Sequence, residues 1–264
     1  MKIKKALVTG GTSGIGLAIC EELLQLGVEV YSVSRNPKKI EPQTNFHQLS
    51  LDLSDLDSVS RFGDKFIEQH GTPDLLINNA GYGAFYEWKE FPRDEIEKQI
   101  SVLLTAPVQL CKSFAPKMEN IEHSTIVNIT SLATLYPLPY MPLYNACKSG
   151  LSSFTQSMML EYKTLKWIDF RLGDIRTSFN KSAPKQAEES QNDSMKRAWK
   201  QIEKQLNESP LPQVAAKQIL RSLKKGRVGT IYGGGFFQAR LAPFFESFLT
   251  NQIILRILKH RYSL

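Results

Sequence analysis

Cysteine is scarce in this 264-residue chain, and the three present, Cys20, Cys111 and Cys147, show no Cys-x-x-Cys spacing and leave one thiol over in any pairing. That argues against a disulfide scaffold and a cysteine-bound metal, and the thiols read as reduced and intracellular. Histidine is too sparse for a metal site: His47, His70, His123 and His260 stand apart without ligand spacing, so no metal is expected. No run of eighteen apolar residues occurs, which excludes a membrane-spanning helix. The opening Met1-Lys2-Ile3-Lys4-Lys5 leads into only Ala6-Leu7-Val8 before Gly10 and Gly11, too short an apolar stretch for a secretory signal. A cytoplasmic location is the expectation. Acidic residues are outnumbered, 26 against 33 Lys and Arg, for a formal net charge of +7. The cations are scattered, without a helix-turn-helix, zinc-finger or RNA-binding motif, so nucleic acid is not expected as a partner. An anionic small molecule accounts for part of the excess equally well.

Hydrophobic residues make up 42% and charged residues 22%, the balance of a soluble globule long enough to bury a large core. Strand-like apolar runs fall at Ala6 to Val8, Val28 to Val33, Phe46 to Leu51, Leu75 to Ile77, Ile126 to Ile129, Ile168 to Leu172 and Thr230 to Tyr232. Helical patterns lie between them at roughly 15–26, 55–69, 93–118, 145–165 and 211–225. This alternation predicts an α/β fold, a doubly wound Rossmann-type parallel sheet with helices on both faces. No internal repeat and no linker is visible, so residues 1–264 read as one domain. Two segments depart from the alternation. Residues 180–209 are polar and of mixed charge, and read as an insertion with an amphipathic helix around Met195 to Leu206. The tail, 236–264, combines Phe244, Phe245, Phe248, Leu249, Ile253, Ile254 and Leu258 with Arg240, Arg256, Lys259 and Arg261. It is expected to fold back on its own domain, to pack on a partner subunit, or to lie on a membrane surface.

Directly after the first strand comes Thr9-Gly10-Gly11-Thr12-Ser13-Gly14-Ile15-Gly16, opening a helix near Ile15. A pyrophosphate is best held by backbone N–H groups at a helix N-terminus, where the helix dipole favours anions. Gly10 suits a tight turn there, and Gly14 and Gly16 keep side chains away from the phosphates and the strand–helix packing. The position between strand and helix makes a dinucleotide site the preferred reading over an ordinary glycine-rich turn. The second strand ends Val33-Ser34-Arg35-Asn36, without the carboxylate that bonds the ribose hydroxyls of NAD. Arg35 instead offers a guanidinium fork to a 2′-phosphate, so NADP(H) is the expected cofactor.

The Ile126 to Ile129 strand is followed by Thr130 and Ser131; Tyr144 lies thirteen residues past Ser131, and Lys148 four beyond that. Positions i and i+4 share a helix face. A phenol is a poor base at neutral pH, but a neighbouring ammonium is expected to lower its pKa. Tyr144 could then exchange a proton with a substrate oxygen to which Ser131 donates a hydrogen bond. Tyr162 and Lys166 repeat this spacing, with Ser149 thirteen residues before Tyr162. That second set fails on geometry: Ser149 falls mid-helix, and Tyr162 lies about 27 Å further along it, at roughly 1.5 Å per residue.

With these residues together, the chain resembles the short-chain dehydrogenase/reductase family in its shorter subgroup, over about residues 4–178. The resemblance rests on Thr9 to Gly16, Asp52-Leu53, Asn78-Asn79-Ala80-Gly81, Ser131, Tyr144 and Lys148. It implies Tyr144 as general acid/base, Lys148 on the nicotinamide ribose, Ser131 orienting the substrate oxygen, and Asp52 and Leu53 beside the adenine. Asn79, Ala80, Gly81 and Ile175 fall at cofactor positions, and Thr177 matches the residue that holds the carboxamide. The implied activity is hydride transfer between NADP(H) and a small carbonyl or alcohol substrate. Residues 180–209 sit where the family places a substrate lid, and a homodimer or homotetramer through helices 93–118 and 145–165 is implied. Two departures stand out. Leu172-Gly173 replaces a Pro-Gly, and Leu103 occupies the place of an Asn that supports a water between the Lys and solvent. Leu103 is the main support for a second reading, an NADP(H)-binding regulatory protein with little or no catalysis. The intact Ser131, Tyr144 and Lys148 favour the enzyme. Tyr82, Phe85, Leu135, Tyr136, Tyr140 and Met141 either line an apolar pocket or belong to the core, and substrate identity is not encoded legibly.

Overall fold

The five inner strands of the sheet bury side chains on both faces, whereas the two edge strands are only partly buried. The computed structural model describes residues 3–37, 44–177, 184–186, 192–246 and 248–264. Seven strands form one sheet: β1 (Lys5–Thr9), β2 (Glu29–Ser34), β3 (Phe46–Ser50), β4 (Leu75–Asn78), β5 (Thr125–Ser131), β6 (Lys166–Leu172) and β7 (Gly229–Gly233), in the order β3-β2-β1-β4-β5-β6-β7. All pairings are parallel. Parallel strands buried on both faces explain the near-continuous apolar runs.

On one face Ala6 and Val8 pack against Ala18, Ile19 and Leu23 of α1 (Gly14–Leu24) and Ala215, Ile219 and Leu220 of α7 (Pro212–Lys224). On the other, Leu7, Leu76 and Ile126 meet Val59 and Phe66 of α2 (Leu56–His70) and Leu110, Cys111 and Phe114 of α4 (Ala106–Met118). This second face is also the side of α5 (Pro142–Glu161), whose Phe154 packs on the same cluster. The helix expected over 93–118 is two helices, α3 (Arg93–Ile100) and α4, joined by a π-helical turn at Ser101–Thr105. The amphipathic helix expected around Met195 to Leu206 is α6 (Asp193–Glu208), capped by the Asn192 carboxamide on the Met195 N–H at 3.1 Å. Its buried Met195, Ala198, Trp199 and Ile202 form a third cluster with Phe85, Met141 and Tyr262. The tail forms a second π-helical turn (Phe237–Leu241), α8 (Ala242–Glu246) and α9 (Asn251–Tyr262). The rest of the expected lid, 180–183 and 187–191, lies outside the described residues.

Candidate active site

Between β1 and β4 the strand order reverses, and the crevice outside their carboxyl ends is where open α/β sheets bind ligands. A cavity of about 940 Å³ opens at that point. Its nucleotide end is built from the loop after β1. Gly10 takes φ +71°, and its N–H donates to the Val33 carbonyl at 2.7 Å, which fastens the turn to β2. A Cβ at Gly16 would stand 2.2 Å from the Gly10 carbonyl oxygen, so the first turn of α1 packs on that turn with no room for a side chain. The Ser13 side chain makes no capping bond and the first turn of α1 holds no acid. The positive end of the helix therefore faces the cavity with N–H groups that have no intrahelical partner. Thr9 Oγ1 accepts from the N–H groups of Asn79 and Ala80, both at 3.0 Å, and Asn79 Nδ2 donates to the Thr9 carbonyl at 2.9 Å. These bonds fix the loops after β1 and β4 against each other.

Gly10, Thr12, Ser13, Gly14, Ile15 and Gly16 line this end, joined by Ser34, Arg35, Asp52, Leu53, Asn79, Ala80 and Gly81. Ile175 and Thr177, following β6, line it from the other side. The Asp52 carboxylate accepts from the Ser54 N–H at 2.9 Å and its hydroxyl at 2.7 Å. Burial works to raise this carboxyl, but the Ser54 bonds and the charges of Arg35 and Lys98 outweigh it and hold the group below the usual carboxylate value. Lys98, brought in by α3, lines the cavity beside Arg35 and escaped the sequence reading. A lysine on a polar helix reads as a solvated face, and only the fold turns it toward the loop after β2. The Ser34 hydroxyl, also at this end, is buried and has no hydrogen-bond partner among the described residues.

The chemical end is formed by Ser131, the last residue of β5, and by the first two turns of α5. Pro142, at the helix start where a missing N–H costs nothing, begins α5 early enough to put Tyr144 in its first turn. Ser131 Oγ accepts from the Ala133 N–H at 3.1 Å and shares a hydrogen bond with the Tyr144 hydroxyl. Lys148 Nζ lies 5.9 Å from the Tyr144 ring centroid and donates to the Ile129 carbonyl at 2.7 Å. Burial raises the Tyr144 phenol above its ordinary value, outweighing the Ser131 hydrogen bond that lowers it. Burial also pulls the Lys148 ammonium down to about 8. The expectation that Lys148 lowers the phenol pKa is thus corrected for the protein alone: desolvation dominates both groups, and the ammonium is turned toward a backbone carbonyl.

The repeated set falls elsewhere. Tyr162 caps the carboxyl end of α5 with its ring 5.7 Å from that of Trp167, and neither it, Lys166 nor Ser149 lines the cavity. Leu103 is fully buried in the π-helical turn; a Cβ placed on Gly81 would stand 2.8 Å from Leu103 Cδ2 and 3.8 Å from Lys148 Nζ. Position 103 therefore abuts the Lys148 corner, and an aliphatic chain fills it. Of the six candidates for an apolar pocket, Tyr82, Tyr136 and Met141 line the cavity. Phe85 and Tyr140 belong to the cluster around Trp199, their rings 5.3 Å apart, and Leu135 lies off the cavity wall. Ile202, Gln205 and Leu206 of α6 close one side. The tail supplies the rest: Tyr136 donates to the Ala242 carbonyl at 2.6 Å, and Gln238 bonds both the N–H and the carboxylate of Asp174, at 2.9 and 2.6 Å.

Sheet order, glycine turn and a cavity running from that turn to a Ser-Tyr-Lys group together define a Rossmann-type nucleotide-binding oxidoreductase. The model of the short chain dehydrogenase family matches residues 4–188, and the chain belongs to that family. A 3-ketodihydrosphingosine reductase of Bacteroides thetaiotaomicron is 30% identical over 205 residues, 75% of this chain and 76% of its own length. Among solved structures, a metagenomic short-chain oxidoreductase in complex with NADP is 30% identical, with a TM-score of 0.60 over 65% of this chain and 81% of that one. A short chain dehydrogenase/reductase from Burkholderia phymatum in complex with NAD has a TM-score of 0.78 at 21% identity, covering 96% and 95% of the two chains.

Proposed function

We propose that the protein is an NADP(H)-dependent carbonyl reductase or alcohol dehydrogenase, with Tyr144 as general acid/base. The observation that carries this reading is the convergence of Ser131, Tyr144 and Lys148 on the same cavity as the glycine turn and Arg35. The cradle fits a dinucleotide: the Gly16 backbone packs where no side chain could, and the uncapped start of α1 offers N–H groups to a pyrophosphate. Arg35, Lys98 and the unpartnered Ser34 hydroxyl would hold a 2′-phosphate, Asp52 and Leu53 the adenine, and Thr177 and Lys148 the nicotinamide side. When bound, the cofactor supplies or takes up the hydride.

The chain's own residues handle the proton. With its pKa raised, the Tyr144 phenol keeps its proton at neutral pH, which suits it to protonate the oxygen of a carbonyl being reduced. Ser131 holds that oxygen at the same point by a second hydrogen bond. Lys148, still largely protonated at pH 7, supplies positive charge beside the phenol after the proton has left. The apolar wall given by Met141, Leu206 and Phe245 suits a carbonyl compound with a hydrocarbon body, in keeping with the lipid ketone in the name of the Bacteroides relative. A homo-oligomer through α4 and α5 is part of this reading.

Steady-state oxidation of NADPH with a panel of aldehydes and ketones tests it. Tyr144→Phe is expected to abolish turnover while leaving NADPH affinity nearly intact, and Tyr162→Phe to do little. Activity lost in the second variant and kept in the first would reject the assignment of Tyr144.

A further inference from the structure

The tail has two faces. Its inner face is committed: Leu258 and Tyr262, one turn apart on α9, pack in the cluster of Trp199, Ile202 and Leu206 of α6, Ile254 one turn earlier is buried, and Gln238 and Ala242 bond the loops around the chemical site. Its outer face is exposed among the described residues. Phe236 is 76% exposed, Phe244 59% and Phe248 72%, and the Phe244 ring centroid lies 5.8 Å from that of Phe245 and 5.1 Å from that of Phe248. Ile253, Leu255 and Ile257 of α9 are exposed too. An apolar patch of this kind on a soluble chain marks a surface that meets something.

The charge around the patch says what. Residues 236–264 contain Arg240, Arg256, Lys259 and Arg261, all exposed, against the single acid Glu246. Phenylalanines and aliphatic side chains bordered by cations are the composition of a segment that lies in a membrane interface, its apolar side chains about 5–10 Å deep among anionic headgroups. A second copy of the chain is the poorer match, because a two-fold interface through this patch sets its cations against themselves. No described helix is long and apolar enough to cross a membrane, so the segment would lie on the surface. Phe245 and Ile257 are both about half exposed and also line the cavity, so the patch is continuous with the cavity mouth.

We infer that the Phe236–Leu264 segment docks the protein on an anionic lipid bilayer, with the mouth of the cavity against the acyl chains. The docking stands independently of the reductase reading, since it rests on the outer face alone. Flotation of the full chain with vesicles tests it. The wild type is expected to float with vesicles containing a third phosphatidylglycerol and to remain behind with pure phosphatidylcholine. Raising salt to about 0.5 M, where the Debye length is a few ångströms, should release most of it. The double variants Phe244→Ser/Phe248→Ser and Arg256→Glu/Lys259→Glu avoid the cavity wall, and each is expected to lower the floating fraction at least fivefold while melting within a few degrees of the wild type. Absence of flotation, equal flotation with both lipids, or undiminished flotation of both folded variants overturns the inference. So does a dimer in light scattering that Phe244→Ser/Phe248→Ser dissociates, since a second copy would then occupy the patch.

Discussion

At the scale of single residues the protein's choices are decided by charge and by one missing polar group. Arg35 sits at the end of β2 in the place where a carboxylate would favour NAD, and Lys98 stands on the same wall. A charge-assisted contact is worth about 1.5–3 kcal/mol, enough for a tenfold affinity difference. NADPH is therefore expected to bind at least tenfold tighter than NADH in fluorescence titrations, and Arg35→Ala to remove most of that difference while leaving NADH unchanged. Equal affinities in the wild type would take Arg35 out of the argument. Leu103 poses the other question, since its side chain fills the corner between Gly81 and Lys148. The transition-state contacts proposed here belong to Ser131, Tyr144 and Lys148, whereas a water held at position 103 would only restore the acid between cycles. Leu103→Asn is thus expected to change turnover less than tenfold, under about 1.4 kcal/mol of barrier, measured well below the melting point because a fully buried Leu is being lost. If the wild type binds NADPH without turning over any carbonyl and Leu103→Asn awakens it, the regulatory reading prevails.

At the scale of elements, the start of α1 carries the most constraint per residue. Gly16→Ala would drive a methyl to 2.2 Å from the Gly10 carbonyl oxygen, a backbone atom held in turn by the Gly10–Val33 hydrogen bond. The turn must deform, so NADPH affinity is expected to fall at least tenfold, with a stability loss of about 1–3 kcal/mol typical of overpacking. Isothermal titration and urea unfolding read the two effects, and wild-type affinity in the variant would mean that this turn does not hold the cofactor. The glycine pattern and all seven strands were legible in the sequence: the inner strands, buried on both faces, write themselves as apolar runs bounded by turns, and the partly buried edge strands β3 and β7 follow in the same alternation with helices. Most residues expected at the site line one cavity because they follow the carboxyl end of a strand, while Ser131 ends β5 itself and Tyr144 and Lys148 reach the cavity from the first turns of α5. What escaped depends on local geometry that composition does not report. Nothing in Ser101-Val102-Leu103-Leu104-Thr105 distinguishes a π-helical turn from ordinary α-helix, yet that turn presents Leu103 to Gly81. The phenol pKa was misjudged because spacing shows that Tyr144 and Lys148 are neighbours, but not that both are desolvated and that Lys148 is taken up by the Ile129 carbonyl.

At the scale of the whole molecule, the three thiols offer a test of whether the sheet and its two helical layers open as one body. Cys20 is on α1 on one face, Cys111 on α4 on the other, and Cys147 on α5 next to Lys148, all buried. Burial raises Cys20 and Cys111 to about 12 and Cys147 to about 11. A thiolate is the reactive species, and at pH 8 the folded chain presents almost none of it, whereas unfolded thiols near 8.5 react readily. Labelling by a disulfide reagent in native buffer must then wait for opening, and the three sites should react with one common rate rather than in separate phases. A ligand that binds only the closed form slows opening-limited labelling by 1 + [L]/Kd, so NADPH at a hundred times its Kd should slow all three by about 100-fold. The two parts of the result fail separately. A common rate without a cofactor effect would leave the fold cooperative and reject NADPH as the ligand. One thiol reacting early and indifferent to NADPH would instead mean that its helix opens locally. For Cys147 that would be the first turns of α5, and Tyr144 and Lys148 would be held less rigidly than the proposed proton transfer requires.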